Sequence, residues 1–162
     1  MLLTDSKAER RGTDELDIAL VEPDTIDLFL DLFLRGFDTP EDLIPLATGL
    51  FRDLVFGNCH SGTSRLYIGS YRGEPAATLY LFYEDGEGGI NMVSTKGTLR
   101  GRGLATAMMR RSMDDAREIG LRMLSLETGW NTAPERLYGG LGFTTIARHE
   151  VFTNVPDLTY GL

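Results

Sequence analysis

The sequence is poor in cysteine, histidine, tryptophan and net positive charge, and it has no long apolar run. Its one cysteine, Cys59, excludes an internal disulfide, so a reducing, cytoplasmic setting is expected. Two histidines, His60 and His149, provide no metal-ligand spacing with it, and no metal is expected. Cys59 and His60 are neighbours without an orienting third group and read as structural rather than as a nucleophile and base. Near the N-terminus no apolar stretch is long enough for a signal peptide or a membrane span, and no membrane partner is expected. Lysine and arginine number 16 against 24 acidic residues; the resulting formal charge of -8 repels nucleic acid and anionic lipid and suits a cationic substrate. Internal repeats and low-complexity segments are lacking, as is the Gly-Lys-Ser/Thr run of a Walker phosphate loop.

What is present fits one domain with a single core, since 42% of the 162 residues are hydrophobic. Residues 1–14 mix charges without an apolar period and read as a flexible lead-in to a domain over 15–162. Alternation at Leu16, Ile18 and Leu20 predicts a strand that Pro23 ends. A stripe of Ile26, Phe29, Leu30 and Phe33 predicts a helix from Thr25 to Arg35. A second helix is expected to open with Thr39 as N-cap and Pro40 in its first turn, and to run to about Phe56. Arg65–Tyr71 and Glu74–Tyr83 predict a hairpin across Arg72-Gly73; a turn at Glu84–Gly89 then leads to a strand over Ile90–Thr95.

Ala105, Met109, Met113 and Ala116 recur at helical spacing between Gly103 and Ile119, with Arg110–Asp114 and Arg111–Asp115 as outer ion pairs and Gly120 as the stop. A strand over Arg122–Glu127 follows, and a strand, helix, strand unit of this length implies a parallel pair in a mixed sheet. Thr132 and Glu135 have the spacing of a capping box for a short helix from Ala133 to Tyr138. A last strand is expected over Thr145–Phe152.

The loop Arg100-Gly101-Arg102-Gly103-Leu104-Ala105 carries the chemistry. Its helix starts without Ser, Thr, Asp or Asn as N-cap and without an acid in the first turn, so either water or a bound anion must satisfy the first N–H groups. Gly101 and Gly103 let an anion approach the backbone, while Arg100 and Arg102 add positive charge. As a dinucleotide fingerprint the loop is poor: Thr106 stands where the last small residue belongs, and Arg122 sits where an acid should meet ribose.

The run Val93 to Ala107 resembles the acetyl-CoA loop of the GNAT acetyltransferases, written Arg or Gln, x, x, Gly, x, Gly or Ala. Asn131, Leu137-Tyr138 and Gly142-Phe143 are similar to the downstream signature of that family, and the likeness covers about Arg65 to Phe152. It implies an α/β (α+β) GNAT fold, with a mixed, mostly antiparallel central sheet, one splayed parallel strand pair and about four flanking helices. The implied cosubstrate is acetyl-CoA, with its pyrophosphate on Gly101, Gly103, Leu104 and Ala105 near Arg100 and Arg102. The pantetheine arm would lie along Val93 and Thr95, and Asn131 would contact the arm or hold the opening.

On the same resemblance Tyr138 is the general acid, and a Val93 N–H is the candidate oxyanion donor. Glu127, at the end of its strand, is the preferred base, with Glu84 and Asp85 as others; a core tyrosine and a surface carboxylate are the plainer readings. Gly139-Gly140 weaken the helix end by roughly 1 kcal/mol each, which would leave Tyr138 frayed. The acceptor would be a primary amine of a small molecule or peptide, and a homodimer is expected by similarity. A CoA-binding module without turnover is the alternative function, and a nucleotide-phosphate binder outside the family is the third.

Overall fold

The computed structural model describes residues 1–4, 13–59 and 62–150. His60, the charged positions 5–12 of the expected lead-in and positions 151–152 of the expected last strand lie outside the described residues, as does the Cys59 side chain.

Among the described residues seven strands form one sheet in the order β2-β3-β4-β5-β6-β1-β7. Strand β2 (Leu16–Leu20) pairs antiparallel with β3 (Ser64–Tyr71), and β3 with β4 (Glu74–Glu84). The β3–β4 turn is Arg72-Gly73, both at positive φ (53° and 83°), the geometry that matches the right-handed twist of a hairpin. Strand β5 (Glu87–Thr95) returns antiparallel to β4 across Asp85-Gly86. The expected Glu84–Gly89 turn is thus only two residues long. Gly88 and Gly89 belong to the strand, and a Cβ at Gly89 would lie 2.1 Å from Phe82 Cζ, so the glycine makes room for a ring rather than for a turn.

Helix α3 (Leu104–Ile119) crosses over to β6 (Met123–Leu126), which is parallel to β5. It packs on the sheet through Leu104, Met108, Met109, Met113 and Ala116, against Tyr67, Leu79, Leu81 and Leu126. A second core holds α1 (Ile26–Gly36) and α2 (Ile44–Cys59) through Ile26, Phe29, Leu30 and Val55, against Leu66, Ile68 and Tyr80. Helix α4 (Ala133–Gly139) follows β6 and leads to β7 (Phe143–Thr144). This mixed sheet, with one parallel pair and four α-helices among the described residues, is the expected fold class.

Four local expectations need correction. Leu2–Leu3, inside the supposed lead-in, form strand β1 between β6 and β7, because Leu2 finds partners on both sides, Ser125 and Thr144. Helix α2 starts at Ile44, since Pro40–Leu43 close a separate turn through Leu43 N to Pro40 O. Among the described residues the last strand is Phe143–Thr144, and positions 145–150 of the expected strand take no regular structure. Asp115 is buried rather than on the outer face, where Asp114 pairs with Arg117 instead of Arg110. The Asp115 carboxylate accepts from Tyr67 Oη at 2.7 Å, Arg65 Nη1 at 2.9 Å and Arg111 Nε at 2.9 Å, which fastens α3 to β3.

Candidate active site

The parallel pair opens toward its carboxyl end. Residues Glu87 to Ile90 of β5 pair with Met123 to Leu126 of β6, and there the pairing stops while β5 runs on to Thr95. Among the described residues no strand pairs with the outer edge of β5 from Asn91 to Thr95. Such a parting at the carboxyl ends of parallel strands leaves backbone groups available to an extended ligand. Val93 and Thr95, both half-buried, lie on this stretch.

The β4–β5 register slips at the same place. Thr78 faces Ser94 and Tyr80 faces Asn91, so two steps on β4 match three on β5. The extra residue is accommodated at Met92, whose φ of 52° is rare for a residue with a side chain.

After β5, a short 3-10 turn at Gly97–Leu99 carries the chain to the start of α3. Gly103 is the N-cap, at φ 79°; no side chain caps the helix and no acid lies in its first turn. The first backbone bond closing the helix is Ala107 N to Gly103 O at 3.0 Å, so the N–H groups of Leu104, Ala105 and Thr106 precede the helical ladder. Gly101 is also left-handed, at φ 79°, with open space where a Cβ would stand. Donors left without a side-chain cap at the positive end of a helix dipole suit a diphosphate. Arg100 is exposed, and its guanidinium donates to Gly36 O at 2.7 Å and to Asp38 at 3.3 Å, tying the loop to the end of α1. Exposed Arg102 lies over the Tyr71 ring at 5.9 Å.

The other bank of the opening follows β6. Glu127 is one residue past the strand, exposed, and among the described residues no hydrogen bond or ion pair holds it. Asn131 is exposed and left-handed, at φ 58°; its N–H donates to Glu135 Oε2 at 2.7 Å, and Glu135 N donates to Thr132 Oγ1 at 3.3 Å. The expected capping box is therefore offset by one residue on its return bond. Tyr138 is 8% exposed and packs edge-on against Phe143, with ring centroids 6.3 Å apart. Burial pushes its phenol up to about 12. The expected fraying at Gly139-Gly140 does not occur: Gly140 N bonds Arg136 O, Leu141 N bonds Tyr138 O, and core packing outweighs the poor helix propensity of the glycines.

Glu84 and Asp85 are not brought to this opening. They lie at the opposite end of β5, about 20 Å from Val93 at 3.3 Å per strand residue, and line an open cavity of about 650 Å³ with Phe82, Glu87 and Met123. The sequence reading missed Thr78, Ser94 and the bend at Met92, because only the cross-strand register reveals that they meet.

Residues 26–143 match the acetyltransferase (GNAT) family. The chain belongs to the GNAT acetyltransferases. Membership makes it an acetyltransferase with acetyl-CoA as cosubstrate. Solved structures share the fold. A GCN5-related N-acetyltransferase from Ralstonia eutropha JMP134 superposes with a TM-score of 0.68 at 18% identity, over 85% of this chain and 98% of that one. A predicted acetyltransferase with acetyl-CoA from Clostridium acetobutylicum gives 0.65 at 20% identity, over 85% and 96%. The ribosomal-protein-S18-alanine N-acetyltransferase from Escherichia coli gives 0.65 at 18% identity, over 80% and 77%. No curated protein matches the sequence. At these identities the structural likeness speaks for the fold and leaves the acceptor open.

Proposed function

We propose that this GNAT protein moves the acetyl group of acetyl-CoA directly to a primary amine of a small molecule or peptide. The observation that carries the reading is the α3 N-terminus, without a side-chain cap and entered through left-handed Gly101 and Gly103, beside the unpaired edge of β5. Leu104 and Ala105 would offer their N–H groups to the pyrophosphate, with Arg100 and Arg102 adding charge at its flank. Val93 and Thr95 would bond the pantetheine arm as a further strand would, and Asn131 would hold it from the β6 side. The Val93 N–H would donate to the developing oxyanion, a role in which a fixed donor acts strongly. Tyr138, held neutral by burial, would hand its proton to the departing thiolate. Glu127 would take the proton of the amine, directly or through water. Its exposure and lack of a hydrogen-bond or ion-pair partner among the described residues support the second reading, a CoA-binding module without turnover.

Release of free thiol from acetyl-CoA, screened over polyamines, aminoglycosides, amino acids and peptide N-termini, separates the two. The formal charge of -8 puts cationic amines first. Thiol release with an amine is the expected result; heat of CoA binding in calorimetry with no transfer to any amine would favour the binding module, and absence of that heat would end both. A homodimer and a cytoplasmic location belong to the same proposal, and sedimentation at micromolar concentration checks the first.

A further inference from the structure

Resting on the acyltransferase reading, we propose that Thr78, backed by Ser94, is a positioning residue that aims the Val93 N–H at the transfer site. Neither side chain reaches the outer edge of β5; both act through the Met92 backbone. Thr78 is fully buried and Ser94 is 5% exposed, on neighbouring strands and directly opposite one another. The Thr78 hydroxyl donates to Met92 O at 2.8 Å. That bond uses its single proton, so the Ser94 hydroxyl, 2.7 Å away, is the donor to Thr78 Oγ1; Leu32 O on α1 lies 3.4 Å from the same Ser94 oxygen.

The consequence lies in the next peptide group. All peptide bonds described are trans, so the carbonyl of Met92 and the N–H of Val93 point in opposite directions. Drawing the carbonyl toward Thr78 turns the N–H away from it, on the side of β5 that β6 has left. Met92 reaches this orientation through φ 52°, a conformation that persists only when its surroundings determine it. A buried hydroxyl chain of this kind is such a determinant. Apolar residues of equal shape at 78 and 94 would fill the space as well and would not hold the carbonyl.

The test compares Thr78→Val, Thr78→Ser and Ser94→Ala with the parent protein. Two readouts are used: kcat and KM for acetyl-CoA with an amine found in the screen, and the backbone amide resonance of Val93 titrated with acetyl-CoA. Thr78→Val is expected to lower kcat by about 30-fold, below the loss of a whole oxyanion donor. KM and CoA affinity should stay within about 3-fold, and the Val93 amide should lose its response to the acetyl group. Thr78→Ser should restore both, and Ser94→Ala should fall between. If Thr78→Val does not fold, Ser94→Ala against the parent decides by the same split. Unchanged kcat and amide response, or a loss that Thr78→Ser does not restore, overturns the role of Thr78 while leaving the acyltransferase reading in place. A parent protein without CoA affinity overturns that reading first, and a parent that binds acetyl-CoA without turnover is judged on the amide response alone.

Discussion

Tyr138 shows how a residue with one sequence signal acquires its properties from its neighbours. Its phenol is raised to about 12 by burial, so it is protonated at every pH at which the protein is expected to work. An acid must carry its proton to act; activity dependent on Tyr138 is retained below that value and lost only as pH rises through it. Accordingly kcat should show no fall attributable to this group between pH 7 and 10, and a tyrosine-dependent descending limb in that window would remove it as the acid. Tyr138→Phe keeps the ring against Phe143 and removes the proton. It should lower kcat by about 100-fold with little change in CoA affinity, as steady-state kinetics beside calorimetry would show. The tyrosine was legible in the family signature. Its burial was one of the readings the sequence left open, beside a frayed end of α4; that the Phe143 ring is what packs against it was not legible, because only the fold brings β7 there.

Among the elements, α3 and β1 are held by partners distant in sequence. Helix α3 is fastened by the Asp115 carboxylate. Burial works against its charge, but hydrogen bonds from Tyr67, Arg65 and Arg111 outweigh it and hold the carboxyl below the usual range. A depressed carboxyl contributes stability that is fully present above its unfolded pKa and lost as pH falls through the folded value. Asp115→Ala should therefore cost about 2 kcal/mol in urea unfolding at pH 7, with the deficit shrinking below about pH 4; a pH-independent difference would contradict the charge argument. Strand β1 is the only described link by which β7 joins the sheet, through Leu2–Thr144 and Leu3–Phe143 pairing and Thr4 N to Gly142 O at 2.9 Å. Phe143 in turn supports Tyr138. Removing residues 1–4 should lower the melting temperature by about 10 °C and reduce kcat more than CoA affinity. An unchanged melting curve would show that β7 holds its place without β1.

For the molecule as a whole, the prediction is linkage. A ligand that binds only the folded chain at about 100 times its Kd adds about 2.7 kcal/mol of stability. CoA at that ratio should raise the melting temperature by several degrees, whereas ATP and NAD should not. Gly103→Val places a Cβ on a residue at φ 79° where the anion would approach, and should abolish the CoA shift; an equal shift in this variant would place the diphosphate elsewhere. No described helix is long and apolar enough to cross a membrane.

The sequence alone determined what depends on residues close along the chain: the Arg72-Gly73 turn, the amphipathic α3 with Gly103 before it and Gly120 after it, and the Thr132-Glu135 cap. Each rests on contacts within a few positions, where residue type and spacing suffice. Only the tertiary structure decided that Leu2 would become a strand, that Asp115 would turn inward, where the expected splayed pair of β5 and β6 would part, after Ile90 and Leu126, and that Thr78 would meet the Met92 carbonyl. Those outcomes join residues 14 to 142 positions apart, and no local pattern encodes which distant partner closes a hydrogen bond once burial has excluded water.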